Sequence, residues 1–94
     1  MALFFLVRIE LHGASQISYD SLHTAMSNAG FRQQITTDQN EQLRLPSAEY
    51  AYFGGTDSAG VLALAQPLVQ SIWGDSEILV CEVNSWWSAG LRRA

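Results

Sequence analysis

The chain has 94 residues, of which 48% are hydrophobic and 15% charged, a composition that fits one compact soluble domain without a second core. Five arginines, nine carboxylates and no lysine give a formal net charge of −4, which argues against nonspecific binding of a nucleic-acid backbone. The single cysteine, Cys81, excludes an internal disulfide framework and a thiolate zinc cluster, and it is typical of a reducing compartment.

Two apolar stretches are too short or too interrupted to span a membrane. The opening MALFFLV lacks a basic lead and ends at Arg8, and the stretch 59–73 contains Gln66, Pro67 and Gln70. A bilayer span needs about 20 apolar residues, and a secretory signal needs a longer apolar core before a cleavage site. We therefore expect a cytoplasmic protein with no membrane partner.

The chain begins with a predicted strand and a predicted helix. Residues 3–12 (LFFLVRIELH) become alternately apolar and polar, as in a strand covered on one face only. Ser18 is the predicted N-cap of a helix over 18–29, with Asp20 in its first turn. Gly30 follows as the expected left-handed end of this helix.

An antiparallel hairpin is predicted next. Residues 31–37 (FRQQITT) alternate again, residues 38–41 carry turn chemistry, and a strand resumes over 42–53. Pro46 has no N–H to donate, so it marks either a bulge or the true start of regular pairing.

The last two predicted elements are a helix and a strand. Asp57 or Ser58 can cap a broadly apolar helix that runs to about Trp73 and is kinked by Pro67. Residues 77–85 alternate as the final strand, in which we expect Cys81 to be a buried, inert thiol.

This order of elements predicts an α+β fold, a ferredoxin-like βαββαβ sandwich. Its sheet would have four antiparallel strands, with the first and third strands central and both helices on one face. The chain 1–94 is then a single domain with a core over about 3–85. The tail 86–94 either folds back or offers an exposed aromatic patch.

Three polar residues on the first strand form the strongest candidate site. A spacing of two places Arg8, Glu10 and His12 on the face that points away from the helices. A carboxylate and an imidazole can act as general base and acid, while a guanidinium holds a phosphate. The alternative is a solvated face on which Arg8 and Glu10 pair weakly across neighbouring strands.

The remaining candidates carry weaker signals. His23 borders the apolar stripe of the first helix, where a packed, hydrogen-bonded histidine is more common than a catalytic one. No HxxxH or paired CxxC spacing is present, so we predict no tightly bound metal or other cofactor. Glu10 alone is compatible with weakly held Mg²⁺. Tyr50 and Tyr52 share a face, either in the core or on the open side of the sheet.

Three segments together resemble a known family. They are RIELH (8–12), YDSLHTAMSNAGF (19–31) and LPSAEY (45–50), and the likeness covers about residues 4–84. In order and spacing they are similar to the GhoS-type endoribonuclease antitoxins of type V toxin–antitoxin systems, including short phage and prophage relatives. The resemblance implies a ferredoxin-like fold, frequent dimer formation, and cleavage of the message of a small membrane toxin.

The resemblance also implies roles for individual residues. Glu10 matches the acidic residue at the end of the first strand, and His23 matches a basic position on the first helix. Glu10 and His12 would then transfer protons, with His23 as an auxiliary acid or phosphate ligand. The expected RNA phosphate contacts come from three arginines, Arg8, Arg32 and Arg44. We also expect a homodimer, because an open sheet face or edge strand tends to be covered.

The alternative function is that of a non-enzymatic phage or prophage interaction protein. An acidic, lysine-free chain with a tryptophan-rich tail can imitate a phosphate backbone and bind a basic host protein. Both interpretations stay open at the level of the sequence.

Overall fold

The computed structural model describes residues 4–94, which form two helices and five strands. The elements in chain order are β1 (Phe4–Leu11), α1 (Gln16–Asn28), β2 (Gln34–Thr36), β3 (Gln42–Arg44), β4 (Glu49–Tyr52), α2 (Ser58–Ile72) and β5 (Ser76–Val83). The predicted α+β class is confirmed. Leu3, the first residue of the predicted first strand, lies outside the described residues.

The main sheet has three antiparallel strands in the order β4-β1-β5, so β1 is central as predicted. Strands β2 and β3 form a separate two-stranded sheet, connected to β4 by the isolated bridge between Arg32 and Ala51. The prediction of one four-stranded ferredoxin-like sheet is therefore wrong.

The chain leaves the strand conformation between Arg44 and Glu49, and this break divides the segment predicted as one strand. Pro46 has no N–H for a ladder, and Ala48 adopts the left-handed conformation with φ 64°. As a result β3 pairs with β2 and bridges to the C-terminal tail at Arg93, while β4 pairs with β1. The predicted antiparallel hairpin is confirmed, but it is shorter than the alternation indicates.

Both helices pack on one face of the main sheet, which we call the inner face. Alternate residues of β1 point into this layer and contact Leu22 and Met26 of α1. The buried cluster comprises Phe5, Val7, Ile9, Leu11, Leu22, Met26, Phe31, Tyr50, Val61, Ala65 and Val69. Because Tyr50 and Tyr52 pair with Val7 and Phe5, they share this inner face.

The opposite, outer face of the main sheet is covered over only half of its length. The β2–β3 hairpin and the C-terminal tail pack there around a second buried cluster, formed by Phe4, Ile35, Leu43, Leu45 and Ala51. The tail folds back onto the hairpin, because the Arg44 N–H donates to the Arg92 carbonyl at 2.7 Å. Of the two tryptophans in the tail, Trp86 packs against this cluster, whereas Trp87 is 96% exposed. The uncovered half carries Arg8 and Glu10.

Helix α1 begins three residues earlier than predicted. Its N-cap is Ser15, with extended backbone, and the Ser15 side chain makes no capping hydrogen bond. Ser18 is therefore not the N-cap, and Asp20 lies beyond the first turn. Since no side-chain cap fixes the start, the local sequence carries little signal for it. Gly30 ends the helix with φ 93°, as predicted.

Helix α2 follows its prediction closely. The Asp57 carboxylate accepts a hydrogen bond from the Gly60 N–H at 2.8 Å, which caps the helix. The helix continues through Pro67 to Ile72 as a single element. Within residues 4–94, neither helix combines the length and the apolar content that crossing a membrane requires.

Candidate functional site

Three ionisable side chains meet at the uncovered end of the outer face. The register of β1 and β5 places Glu10 directly opposite Glu77, and His12 follows one residue after β1 ends. The His12 Nε2 lies 3.3 Å from the Glu77 Oε2. One nitrogen or oxygen atom from each of the three residues lies within 4.8 Å of the others. We call this group the Glu10–His12–Glu77 cluster.

The backbone of His12 is held on both sides by residues that follow α2. The His12 N–H donates to the Asp75 carbonyl at 2.9 Å, and the Trp73 Nε1–H donates to the His12 carbonyl at 2.8 Å. The side chains remain accessible, with 39% of His12 and 69% of Glu77 exposed. The cluster thus combines a fixed backbone with side chains that an external ligand can reach.

A shallow hollow of about 290 Å³ adjoins the cluster and shares Glu10 with it. It lies where β1 extends past β4, beside the Ile9 N–H that donates to the Ala48 carbonyl at 3.0 Å. Its lining residues are Arg8, Ile9, Glu10, Gln16, Tyr19, Ser47 and Ala48. Arg8 and His12 therefore flank Glu10 on its two sides along the chain.

Arg8 is exposed, and its guanidinium has no carboxylate partner in the described part of the chain. Across residues 4–94 the ion pairs within 4.0 Å join His12 to Glu77 and Arg93 to Glu41. In the alternative considered for this face, Arg8 and Glu10 lie on a solvated face and pair weakly across neighbouring strands. Both side chains are exposed, and neither forms such an ion pair within 4.0 Å in the described residues. The guanidinium is free to hold a phosphate next to Glu10.

His23 lies on the other side of the main sheet from Glu10 and His12. Its Nδ1 is hydrogen-bonded to the Tyr50 hydroxyl and lies 3.4 Å from the Gln33 Nε2. Burial, with a smaller contribution from Tyr19, raises the pKa of Tyr50 well above its usual value. The structure therefore does not bring His23 to the other two proposed catalytic residues.

The remaining predicted RNA contacts, Arg32 and Arg44, lie away from Arg8. The Arg32 guanidinium stacks on the Phe53 ring, 5.4 Å from its centroid. Arg32 and Arg44 line neighbouring hollows that share Gln33 and Gln34. The three arginines thus form two groups, and only Arg8 adjoins Glu10.

Glu77 is the residue of this site that the sequence did not single out. It lies 65 positions after His12, and it meets His12 and Glu10 only through the register of β1 and β5. A signal was available in principle: if the first and last strands pair in antiparallel fashion, the acidic residue at the start of the last strand faces the end of the first.

The expectation of a buried Cys81 is wrong. Cys81 is exposed on the outer face of β5, which is an edge strand of the main sheet. Leu79, two residues earlier on the same face, is 60% exposed. The alternating pattern correctly places Leu79 and Cys81 on one face of β5, but the hairpin and the tail do not pack over these two residues.

Comparison of the sequence with known protein families and with curated proteins finds no match.

Proposed function

We propose that the protein is an endoribonuclease whose active site is the uncovered end of the outer face. The observation that carries this proposal is the accessible pairing of a carboxylate and an imidazole, Glu10 and His12, beside Arg8, which has no ion-pair partner among the described residues. These are the groups required to cleave RNA through its own 2′-hydroxyl. The fixed backbone of His12 supports the same conclusion.

The proposed reaction assigns one proton transfer to each group. Glu10 accepts the proton of the 2′-hydroxyl, whose oxygen attacks the adjacent phosphorus in line. Protonated His12 gives its proton to the 5′-oxygen as the bond from phosphorus to that oxygen breaks. The products are a 2′,3′-cyclic phosphate and a 5′-hydroxyl, and no external water is consumed in this step.

The neighbouring residues have supporting roles in this mechanism. The Glu77 carboxylate, 3.3 Å from His12, forms an ion pair with the protonated imidazole and orients the ring. Arg8 binds the nonbridging phosphate oxygens, whose charge grows during the attack. His23, hydrogen-bonded on the inner face, takes no part in the chemistry of this proposal.

Single-stranded RNA is the substrate class that fits this mechanism. In-line attack by a 2′-hydroxyl needs a flexible backbone, and the hollow beside Glu10 is shallow and open. Arg32 on Phe53 and the nearby Arg44 offer further contacts for a strand that extends beyond the site. The resemblance to antitoxin endoribonucleases adds the message of a small membrane toxin as the proposed target.

The test is RNA cleavage by the Glu10→Gln, His12→Ala double variant. We expect cleavage to be abolished and the melting temperature to stay nearly unchanged, because Glu10 is exposed and His12 is only partly buried. Glu82→Gln, an exposed carboxylate elsewhere on β5, is the matched control and should retain full activity. Equal cleavage by the double variant and the unaltered protein would overturn the proposal.

A second candidate, a non-enzymatic protein that binds a basic host protein, is favoured by one feature, the 96% exposed Trp87. In this case Trp87→Ala should weaken binding to the partner and leave RNA unaffected. A deletion of the whole tail would also remove residues that pack on the hairpin, so the single substitution tests Trp87 more specifically. If the affinity for the partner changed neither in Trp87→Ala nor with salt concentration, this candidate would be excluded.

We propose a homodimer under either function. Strand β5 is eight residues long, lies at the edge of the main sheet and exposes Leu79, features that support pairing with a second copy. Light scattering should give twice the mass of one chain at micromolar concentration. The mass of a single chain would refute the dimer.

A further inference from the structure

We propose that Glu10, His12 and Glu77 bind a divalent transition-metal ion, with Zn²⁺ as the preferred ion. The three side chains come from the two neighbouring strands β1 and β5 and the residue just after β1. Three protein ligands and an open fourth position constitute the arrangement found in accessible zinc sites.

The distances in the cluster fit such an ion. Zinc binds nitrogen and oxygen at about 2.0–2.2 Å, so two ligand atoms on a tetrahedral ion are about 3.4 Å apart. The distance from His12 Nε2 to Glu77 Oε2 is 3.3 Å. One ligand atom from each of Glu10, His12 and Glu77 lies within 4.8 Å of the other two, and Glu10 is an exposed side chain that can rotate toward a bound ion.

The chemical nature of the ligands favours zinc over magnesium. An imidazole nitrogen suits zinc, nickel and copper, whereas magnesium prefers an octahedral shell of oxygens and retains its waters. The weak Mg²⁺ site considered for Glu10 alone becomes a mixed nitrogen and oxygen site once His12 and Glu77 are included.

Electrostatics also favours a bound cation. Glu10 and Glu77 are direct cross-strand neighbours, and like charges in this position destabilise a sheet. Neither carboxylate has an arginine within 4.0 Å among residues 4–94, so only His12 offsets their charge. A dication between them removes the repulsion.

The cluster is preorganised for binding. Glu10 lies within the paired length of β1 and β5, and both backbone groups of His12 are hydrogen-bonded. Binding therefore requires only the ordering of three side chains. Trp73, whose indole N–H bonds the His12 carbonyl, is a natural fluorescent reporter.

The site has a regulatory consequence, which rests on the proposed function. Zinc on Glu10 and His12 occupies the lone pairs that proton transfer requires, so the metal-bound form should be an inactive nuclease. Metal binding itself does not depend on whether the protein cleaves RNA.

The first experiment is calorimetric titration of the full chain with Zn²⁺ and, separately, with Mg²⁺. Because the exposed thiol of Cys81 can also bind zinc, the titration is done in tag-free Cys81→Ser protein. We expect one zinc ion per chain and no binding of Mg²⁺ at the same concentrations. Absence of zinc binding up to millimolar concentration would overturn the proposal.

Variants then locate the ion. Glu77→Gln should weaken zinc affinity by about 10- to 100-fold or more, since it removes a direct ligand from a side chain that is too exposed to affect folding. Glu82→Gln, about 16 Å along the same strand, should bind as the parent does. Equal affinity in Glu77→Gln and the parent would place zinc elsewhere and refute the site.

NMR of the two histidines supplies an internal control. Zinc should shift the imidazole signals of His12 and leave those of His23 unchanged, because His23 is hydrogen-bonded on the inner face. Shifts confined to His23 would contradict the proposal. Zinc binding without any RNA cleavage in the metal-free protein would sustain this site and refute only the nuclease.

Discussion

The Tyr50 hydroxyl and the His23 imidazole form a hydrogen bond that ties β4 to α1 across the inner face. Tyr50 is 0% exposed, so its hydroxyl depends on a partner within the protein. His23 provides that partner, and every buried side-chain nitrogen or oxygen in residues 4–94 has one. The histidine of α1 therefore stabilises the core of the fold.

Tyr50→Phe tests this role. The change removes the hydroxyl, keeps the ring and leaves the half-buried His23 only the longer contact to Gln33, which should cost about 1 kcal/mol of unfolding free energy. For a domain of this size the melting temperature should fall by about 5 °C. Tyr52→Phe, which alters a hydroxyl with no hydrogen bond in the described residues, is the matched control. Equal losses in the two variants would contradict the assignment.

The raised pKa of Tyr50 should be detectable in the stability of the protein at alkaline pH. Burial raises the pKa of folded Tyr50 above the value of about 10 that an unfolded tyrosine has. The folded state then holds its proton more tightly, so the stability from Tyr50 is complete below about pH 10 and declines as pH rises further. Thermal unfolding across this range should show a steeper loss for the unaltered protein than for Tyr50→Phe. Parallel curves would be inconsistent with a raised pKa.

Arg8 should contribute one phosphate contact to RNA binding. Arg8→Gln is expected to weaken binding and to lower the slope of log affinity against log salt by about 0.7, the value for one contact on a single strand. Arg93→Gln is the control, because Arg93 pairs with Glu41 on the hairpin. Fluorescence anisotropy with a labelled RNA measures both. An unchanged slope in Arg8→Gln would remove Arg8 from the binding site.

The end of the tail should stabilise the β2–β3 hairpin. A chain that stops at Ser88 loses the packing of Leu91 and two backbone bonds, from Arg44 N–H to the Arg92 carbonyl and from Ala94 N–H to the Gln42 carbonyl. We expect a loss of about 2 kcal/mol. The control Arg93→Ala breaks only an exposed ion pair and should cost less than about 1 kcal/mol. A truncated chain as stable as the parent would refute this role.

Local sequence patterns identify the elements of this fold better than their pairing. Alternation identifies β1, and the Asp57 cap identifies α2, because each signal is contained in a few neighbouring residues. The division of the predicted third strand depends on Pro46 and the left-handed Ala48, and the sequence marks only the first of these. Local signals thus recover the helices and strands but not the division into two sheets.

The same distinction applies to the candidate site. The spacing of Arg8, Glu10 and His12 places them on one face before any pairing is known. Glu77 joins them through the register of strands that are far apart in the chain, which a single sequence does not fix. His23 was ambiguous because a helix border position can face a core partner or a ligand, and only the contact with Tyr50 separates these cases.

Cys81 gives a direct chemical test of how far the outer face is covered. A buried Cys81, as expected from the sequence, would require the hairpin and the tail to shield all of β5. A disulfide reagent would then reach the thiol only after the protein unfolds. The structure exposes Cys81 beside the 60% exposed Leu79, so the folded protein should react as fast as the protein unfolded in denaturant, within about tenfold. Cys81→Ser should not react at all. A reaction that proceeds only in denaturant would mean that β5 is covered in solution, and a reaction that slows with rising protein concentration would indicate that the cover is a second copy of the chain.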